Sequence, residues 1–251
     1  MKYLKKTMFI IACIVFIYSS YKLINYYCVM NTINKEFNKI ENEVFIEEIV
    51  NNEKKTSYKK NVIKKFNYEK LNNKNSDCIG WINIQNTKVD YPVMYKEGDN
   101  NFYLRRNINK EYSIAGIPFL DGNCSLEEKK ALWIIYGHHM KDGSLFGGLS
   151  KYNNKKFYEQ NKKITLYIKN TKYIYEIFAY GVISAITDYN LYNVNDFRTD
   201  KGYEMFLSDI KKKINYNKDL IPEKREDILI LSTCDYTKPD GRMIVVAKRV
   251  K

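Results

Sequence analysis

The sequence predicts a mainly β domain, a barrel or a sandwich, preceded by an N-terminal helical region. After about residue 75, short apolar runs with β-branched and aromatic residues recur between clusters of Asn, Asp and Gly. Eight such runs within about 170 residues are typical of a β-barrel or a β-sandwich. Hydrophobic residues make up 45% of the chain and aromatic residues 15%, so a sizeable core can be buried.

The first element is an apolar segment behind a basic N-terminus. Lys2, Lys5 and Lys6 precede the apolar run Met8–Tyr18, a pattern typical of an exported N-terminus whose basic end stays in the cytoplasm. The run is shorter than a full span of about 20 residues. Because no clear small-x-small cleavage site follows it, an uncleaved anchor is favoured over a cleaved signal peptide. We expect residues 1–29 to be a single-pass anchor in membrane lipid, with the rest of the chain extracellular.

Residues 30–74 are predicted to be helical, either as a stalk or as helices packed on the main domain. Between Asn34 and about Leu71, apolar residues recur at helical spacing in a polar background, with a break near Asn51–Ser57. The spaced apolar residues are Phe37, Ile40, Val44, Phe45, Ile63, Phe66 and Leu71.

Residues 75–251 form the predicted β domain. One helix interrupts its strands: Asp200–Ile214 carries Tyr203, Phe206, Leu207, Ile210 and Ile214 on one face, with Thr199 as N-cap. The predicted strands are Gly80–Ile84, Val89–Met94, Gly116–Leu120, Leu132–Tyr136, Ile164–Lys169, Tyr173–Ser184, Ile228–Ser232 and Met243–Lys248.

Charge and cysteine content limit the classes of partner and site that the chain can have. The net charge of +13 suits an anionic partner, but no run interleaves arginine with aromatic residues, so we expect no nucleic acid. Five cysteines at irregular spacing do not form a disulfide framework. Without a CxxC motif, a His/Cys cluster or a convincing group of acids, we expect no metal and no other cofactor. A free thiol outside the cell then calls for a catalytic explanation.

Cysteine, histidine and arginine residues lie at the ends of predicted strands. The only two histidines, His138 and His139, come directly after the strand Leu132–Tyr136 and Gly137. Cys234 ends the next-to-last apolar run, and Arg242 starts the last one behind a Pro-Asp-Gly turn. Taken singly, each would most simply be a surface or core residue.

Together these residues can perform nucleophilic catalysis. A thiol with a pKa near 8.5 is mostly protonated at neutral pH, so a nucleophilic cysteine needs a base, which a histidine can supply. Attack on an amide creates an oxyanion, and a guanidinium donor fixed beside it is worth roughly 3 kcal/mol. The turn before Arg242 would return it beside Cys234.

These motifs resemble those of sortases. The likeness covers about Asn75 to Val250 and rests on LSTC at Leu231–Cys234, on Arg242 in the next strand, and on the histidine in YGHHMKDGSLF. The short Cys-to-Arg spacing, the segment GWINIQNTKVDYPVMY and the inserted helix are most similar to class B. The family motif places the catalytic histidine directly after the glycine, which carries to His138 and leaves His139 as its neighbour.

The resemblance implies an eight-stranded β-barrel on the outer face of a Gram-positive membrane. Enzymes of this family cleave a C-terminal sorting signal after its Thr, hold the fragment as a thioester, and pass it to an amine of peptidoglycan or a pilin. Cys234 would attack, His138 would exchange protons, and Arg242 would steady substrate and oxyanion. The protein partners would be surface proteins with an NPxTG-like signal. Candidate substrate-binding residues are Ser232, Thr233, Asn100, Leu104, and Tyr189 or Tyr192.

Two alternatives to this transpeptidase remain. In a cysteine peptidase, water would resolve the thioester, although papain-like enzymes and cell-wall amidases place Cys before His, and L,D-transpeptidases space His and Cys more closely. A non-catalytic basic domain that binds anionic wall polymers would explain the charge and the anchor but not the grouping of Cys234, His138 and Arg242.

Overall fold

The computed structural model describes residues 2–50, 61–128 and 130–250. The chain divides into two compact units, Met1–Ile40 and Glu41–Lys251. The predicted break near Asn51–Ser57 lies outside the described residues, and the predicted boundaries at residues 29 and 74 remain predictions.

The first unit is helical. Helix α1 (Lys2–Val44) is continuous, and from Tyr3 to Val44 it is long and apolar enough, by length and composition, to cross a membrane. The large apolar side chains of Met8–Tyr18 are exposed all round the helix. Apolar surface of this kind is stable when lipid covers it.

The second unit begins with a hairpin that the sequence did not predict. Strands β1 (Phe45–Val50) and β2 (Asn61–Phe66) pair antiparallel, so the expectation of helix over these residues was wrong. Phe45 and Phe66 are direct cross-strand partners, and their rings pack with the ring of Tyr167, at centroid distances of 5.7 and 4.7 Å. Aromatic packing across strands outweighs the helical spacing of these apolar residues.

A closed barrel follows. Its eight strands are β3 (Cys78–Ile84), β4 (Asp90–Tyr95), β5 (Phe119–Leu120), β6 (Leu132–Tyr136), β7 (Lys163–Ile168), β8 (Thr171–Ser184), β10 (Ile228–Cys234) and β11 (Gly241–Arg249). The short strand β9 (Asn215–Tyr216) pairs with β8 outside this ring. The order is β11-β10-β6-β5-β4-β3-β7-β8, and β8 pairs back to β11, which confirms the eight-stranded barrel. The pairs β4–β5 and β6–β10 are parallel, whereas the other neighbours in the barrel are antiparallel.

One predicted strand is shorter than expected. The prediction Gly116–Leu120 reduces to β5, because Gly116 has a φ of +58°, in the left-handed region that interrupts an extended strand. The N–H of Ile117 donates to the carbonyl of Tyr103, 3.3 Å away, instead of joining the ladder.

The other α-helices lie outside the barrel ladder. They are α2 (Tyr68–Lys74), α3 (Lys155–Gln160), α4 (Val194–Phe197) and α5 (Asp200–Lys213). The predicted inserted helix is confirmed as α5: the Thr199 side chain accepts from the N–H of Gly202 at 3.0 Å, and Tyr203, Phe206 and Ile210 are buried. Helix α5 packs against β8 and β9 and against the 3-10 turn Tyr189–Tyr192.

Candidate active site

Cys234 and Arg242 face each other at the turn end of the β10–β11 hairpin. They are register partners, and Arg242 Nη1 lies 3.4 Å from Cys234 Sγ, as the turn in the sequence predicts. Asp240 has a φ of +51°, and a Cβ on Gly241 would lie 2.5 Å from the carbonyl oxygen of Asp235. The tight turn therefore needs glycine where the second strand begins, and it holds the guanidinium against the thiol.

His138 follows the end of β6, beside β10. The N–H of Gly137 donates to the Ser232 carbonyl at 3.1 Å, and a Cβ on Gly137 would lie 2.7 Å from the ring of Phe146. Nε2 of His138 lies 2.7 Å from the carbonyl oxygen of Leu104. Because a carbonyl only accepts, Nε2 carries the proton, and in the neutral ring Nδ1 is left as a proton acceptor.

Burial sets the protonation state of His138. Desolvation lowers the pKa of its imidazole below the ordinary 6.5, and the charge of Arg105 lowers it further, while the hydrogen bond to Leu104 acts in the opposite direction. At neutral pH the ring is therefore mostly neutral, the form that can accept a proton from a thiol.

One cavity joins these residues. It has a volume of about 270 Å³. Seven of the nine residues singled out from the sequence line it, including Asn100 and Leu104 from the loop after β4. The lining residues are Asn100, Asn101, Leu104, Phe119, Tyr136, Gly137, His138, Ser232, Thr233, Cys234 and Arg242.

The two tyrosine candidates of the inserted segment differ in position. The Tyr192 hydroxyl hydrogen-bonds the Ser232 hydroxyl at 2.8 Å, and its ring stacks on Tyr136, with centroids 6.2 Å apart. Tyr189 is 59% exposed. Tyr192 thus contacts two residues of the cavity wall, whereas Tyr189 faces solvent.

Comparison with known proteins decides the family. A family model described as the Sortase domain matches residues 82–250.

The chain belongs to the sortase family.

Two curated relatives support this assignment. Sortase B of Staphylococcus aureus is 33% identical over 186 residues, which covers 73% of this chain and 75% of that protein. Sortase B of Listeria monocytogenes is 35% identical over 178 residues, covering 70% and 71%. This sortase is therefore a cysteine transpeptidase, as the motifs predict.

Solved structures share the fold. Sortase B from Bacillus anthracis gives a TM-score of 0.73 at 28% identity, over 90% of this chain and 99% of that one. A Staphylococcus aureus sortase B–substrate complex gives 0.66 at 32% identity, over 73% and 84%. A sortase B complexed with triglycine gives 0.65 at 33% identity, over 73% and 85%.

The three thiols of the second unit of this sortase differ in environment. Burial raises the pKa of Cys124 to about 12 and that of Cys78 higher still, so both stay protonated at neutral pH. Cys234 is half-buried and lines the cavity with His138 and Arg242. Within the described parts of the chain, no three His, Cys, Asp or Glu side chains come together as a metal site would require.

Sequence reasoning missed several residues at this site. Tyr136 and Phe119 line the cavity because β6 runs parallel to β10 and antiparallel to β5, pairings that no local pattern reveals. Asn101 lies beside the predicted Asn100. His139, taken only as a neighbour of the catalytic histidine, places Nδ1 2.8 Å from the carbonyl oxygen of Cys234.

Proposed function

We propose that this sortase cleaves a C-terminal sorting signal after its Thr, holds the N-terminal fragment as a thioester on Cys234, and transfers it to an amine of the cell wall. One observation carries the proposal: Cys234 Sγ lies 3.4 Å from Arg242 Nη1 in the cavity that His138 also lines. Nucleophile, cation and base thus share one space in which a peptide carbonyl can be attacked.

In the first half-reaction, the sulfur of Cys234 attacks the carbonyl carbon of the Thr. The thiol proton passes to His138, and the negative charge that develops on the carbonyl oxygen is stabilised by the Arg242 guanidinium. The C–N bond then breaks as His138 returns the proton to the leaving amine. The products are a thioester and the released C-terminal fragment.

In the second half-reaction, an acceptor amine attacks the thioester carbon. His138 takes a proton from the amine nitrogen, the C–S bond breaks, and the proton returns to the sulfur of Cys234. An amide replaces the thioester, and the enzyme is regenerated without a cofactor. Water in place of the amine would give hydrolysis alone.

The cavity presents both polar and apolar side chains, which suits a sorting signal of the NPxTG type. Ser232 and Thr233 are buried in the cavity wall, and Asn100 and Leu104 lie in the loop opposite. Sortase B structures exist with a substrate and with triglycine. We propose the same two classes of ligand here: a sorting-signal peptide and a peptidoglycan amine.

The anchor would set the location. We propose that residues 1–29 cross a Gram-positive cell membrane once, with the three N-terminal lysines inside, and that residues 30–74 connect the anchor to a catalytic domain of residues 75–251 outside. An apolar helix from Tyr3 to Val44 supports this arrangement.

Product analysis tests the transfer. The full-length protein in detergent is incubated with an NPxTG-type peptide with and without triglycine, and the products are separated by chromatography. The proposal expects an N-terminal fragment joined to triglycine, with none formed by Cys234→Ala. Cleavage without a joined product at high triglycine concentration would favour a peptidase, and intact peptide under all conditions would refute the proposed chemistry.

A further inference from the structure

The parallel ladder between β6 and β10 ends at the candidate active site. Its last register pair is Tyr136 with Ser232, and the N–H of Gly137 still donates to the Ser232 carbonyl at 3.1 Å. In a regular parallel ladder, donors alternate between the two strands, and the next bond donated from the same strand joins residues two further on in each strand. That bond would run from the main-chain N–H of His139 to the carbonyl of Cys234.

The side chain of His139 takes the place of its own main-chain N–H in this bond. Nδ1 of His139 lies 2.8 Å from the Cys234 carbonyl oxygen. The backbone of His139 turns away and forms a bridge with Leu145. Because the carbonyl only accepts, Nδ1 of His139 carries a proton and donates. The ring of Tyr236 lies beside the imidazole, at a centroid distance of 5.6 Å.

We propose that His139 is a positioning residue that holds the main chain of Cys234 in line with β6. The inference rests on the proposed role of Cys234 as nucleophile. Arg242 fixes the end of β10 from one side through register pairing, and His139 fixes it from the other. The two adjacent histidines then have different roles. His138 exchanges protons in the cavity, and His139 fixes the backbone that carries the sulfur.

Placement of the sulfur matters because thioester formation needs it within bonding approach of the carbonyl carbon. A misplacement of about 1 Å can cost on the order of 100-fold in rate. Without the donor at His139, the Cys234 carbonyl loses its partner on the β6 side, at the point where the chain leaves the sheet. We therefore expect the loss to fall on the rate of acylation rather than on the KM of the peptide.

The test compares His139→Asn with His139→Gln and His139→Ala in the full-length protein. The Asn amide nitrogen is as many bonds from the backbone as Nδ1, whereas the Gln amide nitrogen is one bond further. We expect His139→Asn to keep the acylation rate within about threefold, and His139→Gln and His139→Ala to lower it about 10- to 100-fold at unchanged KM. The matched control is Lys238→Met. It removes a 2.8 Å hydrogen bond from the turn between β10 and β11 to the Val182 carbonyl, and it should leave the acylation rate unchanged.

The outcomes are separable. Equal rates for wild type and His139→Ala, or equal losses for His139→Asn and His139→Gln, would overturn the positioning role. The same holds if the losses simply follow melting temperatures across all four variants. An active Cys234→Ala protein would instead refute the proposed function, whatever the His139 variants show.

Discussion

The guanidinium of Arg242 lies 3.4 Å from the thiol of Cys234 across a register pair of one hairpin. Both side chains therefore leave the same rigid ladder, and their separation is set by strand pairing rather than by loop conformation. The short turn between them in the sequence returns the chain into this register, and the strand pairing then fixes the distance between cation and sulfur.

Replacing Arg242 by Lys should lower kcat/KM by about 100-fold or more, because Lys lacks the planar fork that can contact sulfur and oxyanion together. Steady-state cleavage of a sorting-signal peptide measures the effect. Arg249→Lys is the control, since Arg249 lies at the other end of the same strand and pairs with Asp227 at 2.8 Å. Equal activity of the Arg242 and Arg249 variants would contradict the oxyanion role.

The acidic limb of the pH–rate profile should have its midpoint below 6.5, the ordinary pKa of histidine. In the proposed mechanism His138 must be neutral to accept the thiol proton, and its lowered pKa keeps it neutral further into the acidic range. Activity is then lost only as the pH falls through that lowered pKa. Single-turnover acylation at a series of pH values locates the limb.

Arg105→Gln should move this limb to higher pH, because the Arg105 charge lowers the pKa of His138. Arg106→Gln removes the neighbouring charge, which stacks on Phe102, and should leave the limb in place. A limb that stays fixed in Arg105→Gln, or that moves equally in both variants, would show that the charge of Arg105 does not act on His138.

Tyr192→Phe should destabilise the protein by about 1 kcal/mol, because it takes a partner from the buried Ser232 hydroxyl. The same change should raise the KM of the peptide, since Ser232 lines the cavity. Tyr189→Phe changes only an exposed side chain and serves as the control. Thermal melts and peptide titrations distinguish the two. A KM effect confined to Tyr189→Phe would reverse the choice between these tyrosines.

A protein of residues 30–251 should cleave peptides with kcat/KM within about twofold of the full chain, because in the proposed function the anchor supplies location and not chemistry. It should also lose binding to lipid vesicles. Flotation with vesicles and a peptide assay, with circular dichroism to verify folding, test both expectations. A folded but inactive truncation would assign the first 29 residues a role in the chemistry.

Much of the fold could be predicted from local pattern. Leu132–Tyr136 matches β6 at both ends, and α5 begins at the predicted cap, because apolar periodicity and capping are local signals. The hairpin of β1 and β2 was missed because its stabilising contacts, such as the ring of Phe66 on that of Tyr167, join residues far apart in sequence. The two-residue strand β9 is too short to leave a periodic signal.

The contacts of the candidate site also fall into those that a local pattern predicts and those that it does not. Cys234 and Arg242 could be brought together from the sequence because one turn joins them. The contact of Leu104 with His138 and that of His139 with Cys234 depend on long-range pairing, which one sequence does not encode in any local pattern. Strand ends are therefore predictable as places for chemistry, while the contacts that orient each side chain there require the folded structure.

Intact-protein mass spectrometry tests the central claim most directly. The wild-type protein and the variants Cys234→Ala and His138→Ala are incubated with an NPxTG-type peptide and quenched in acid. The account predicts an added mass equal to the N-terminal fragment on wild type, discharged by triglycine. It predicts none on Cys234→Ala and a severely reduced amount on His138→Ala. An adduct of that mass on Cys234→Ala, or cleavage by the wild type with no thioester even under rapid quenching, would contradict it.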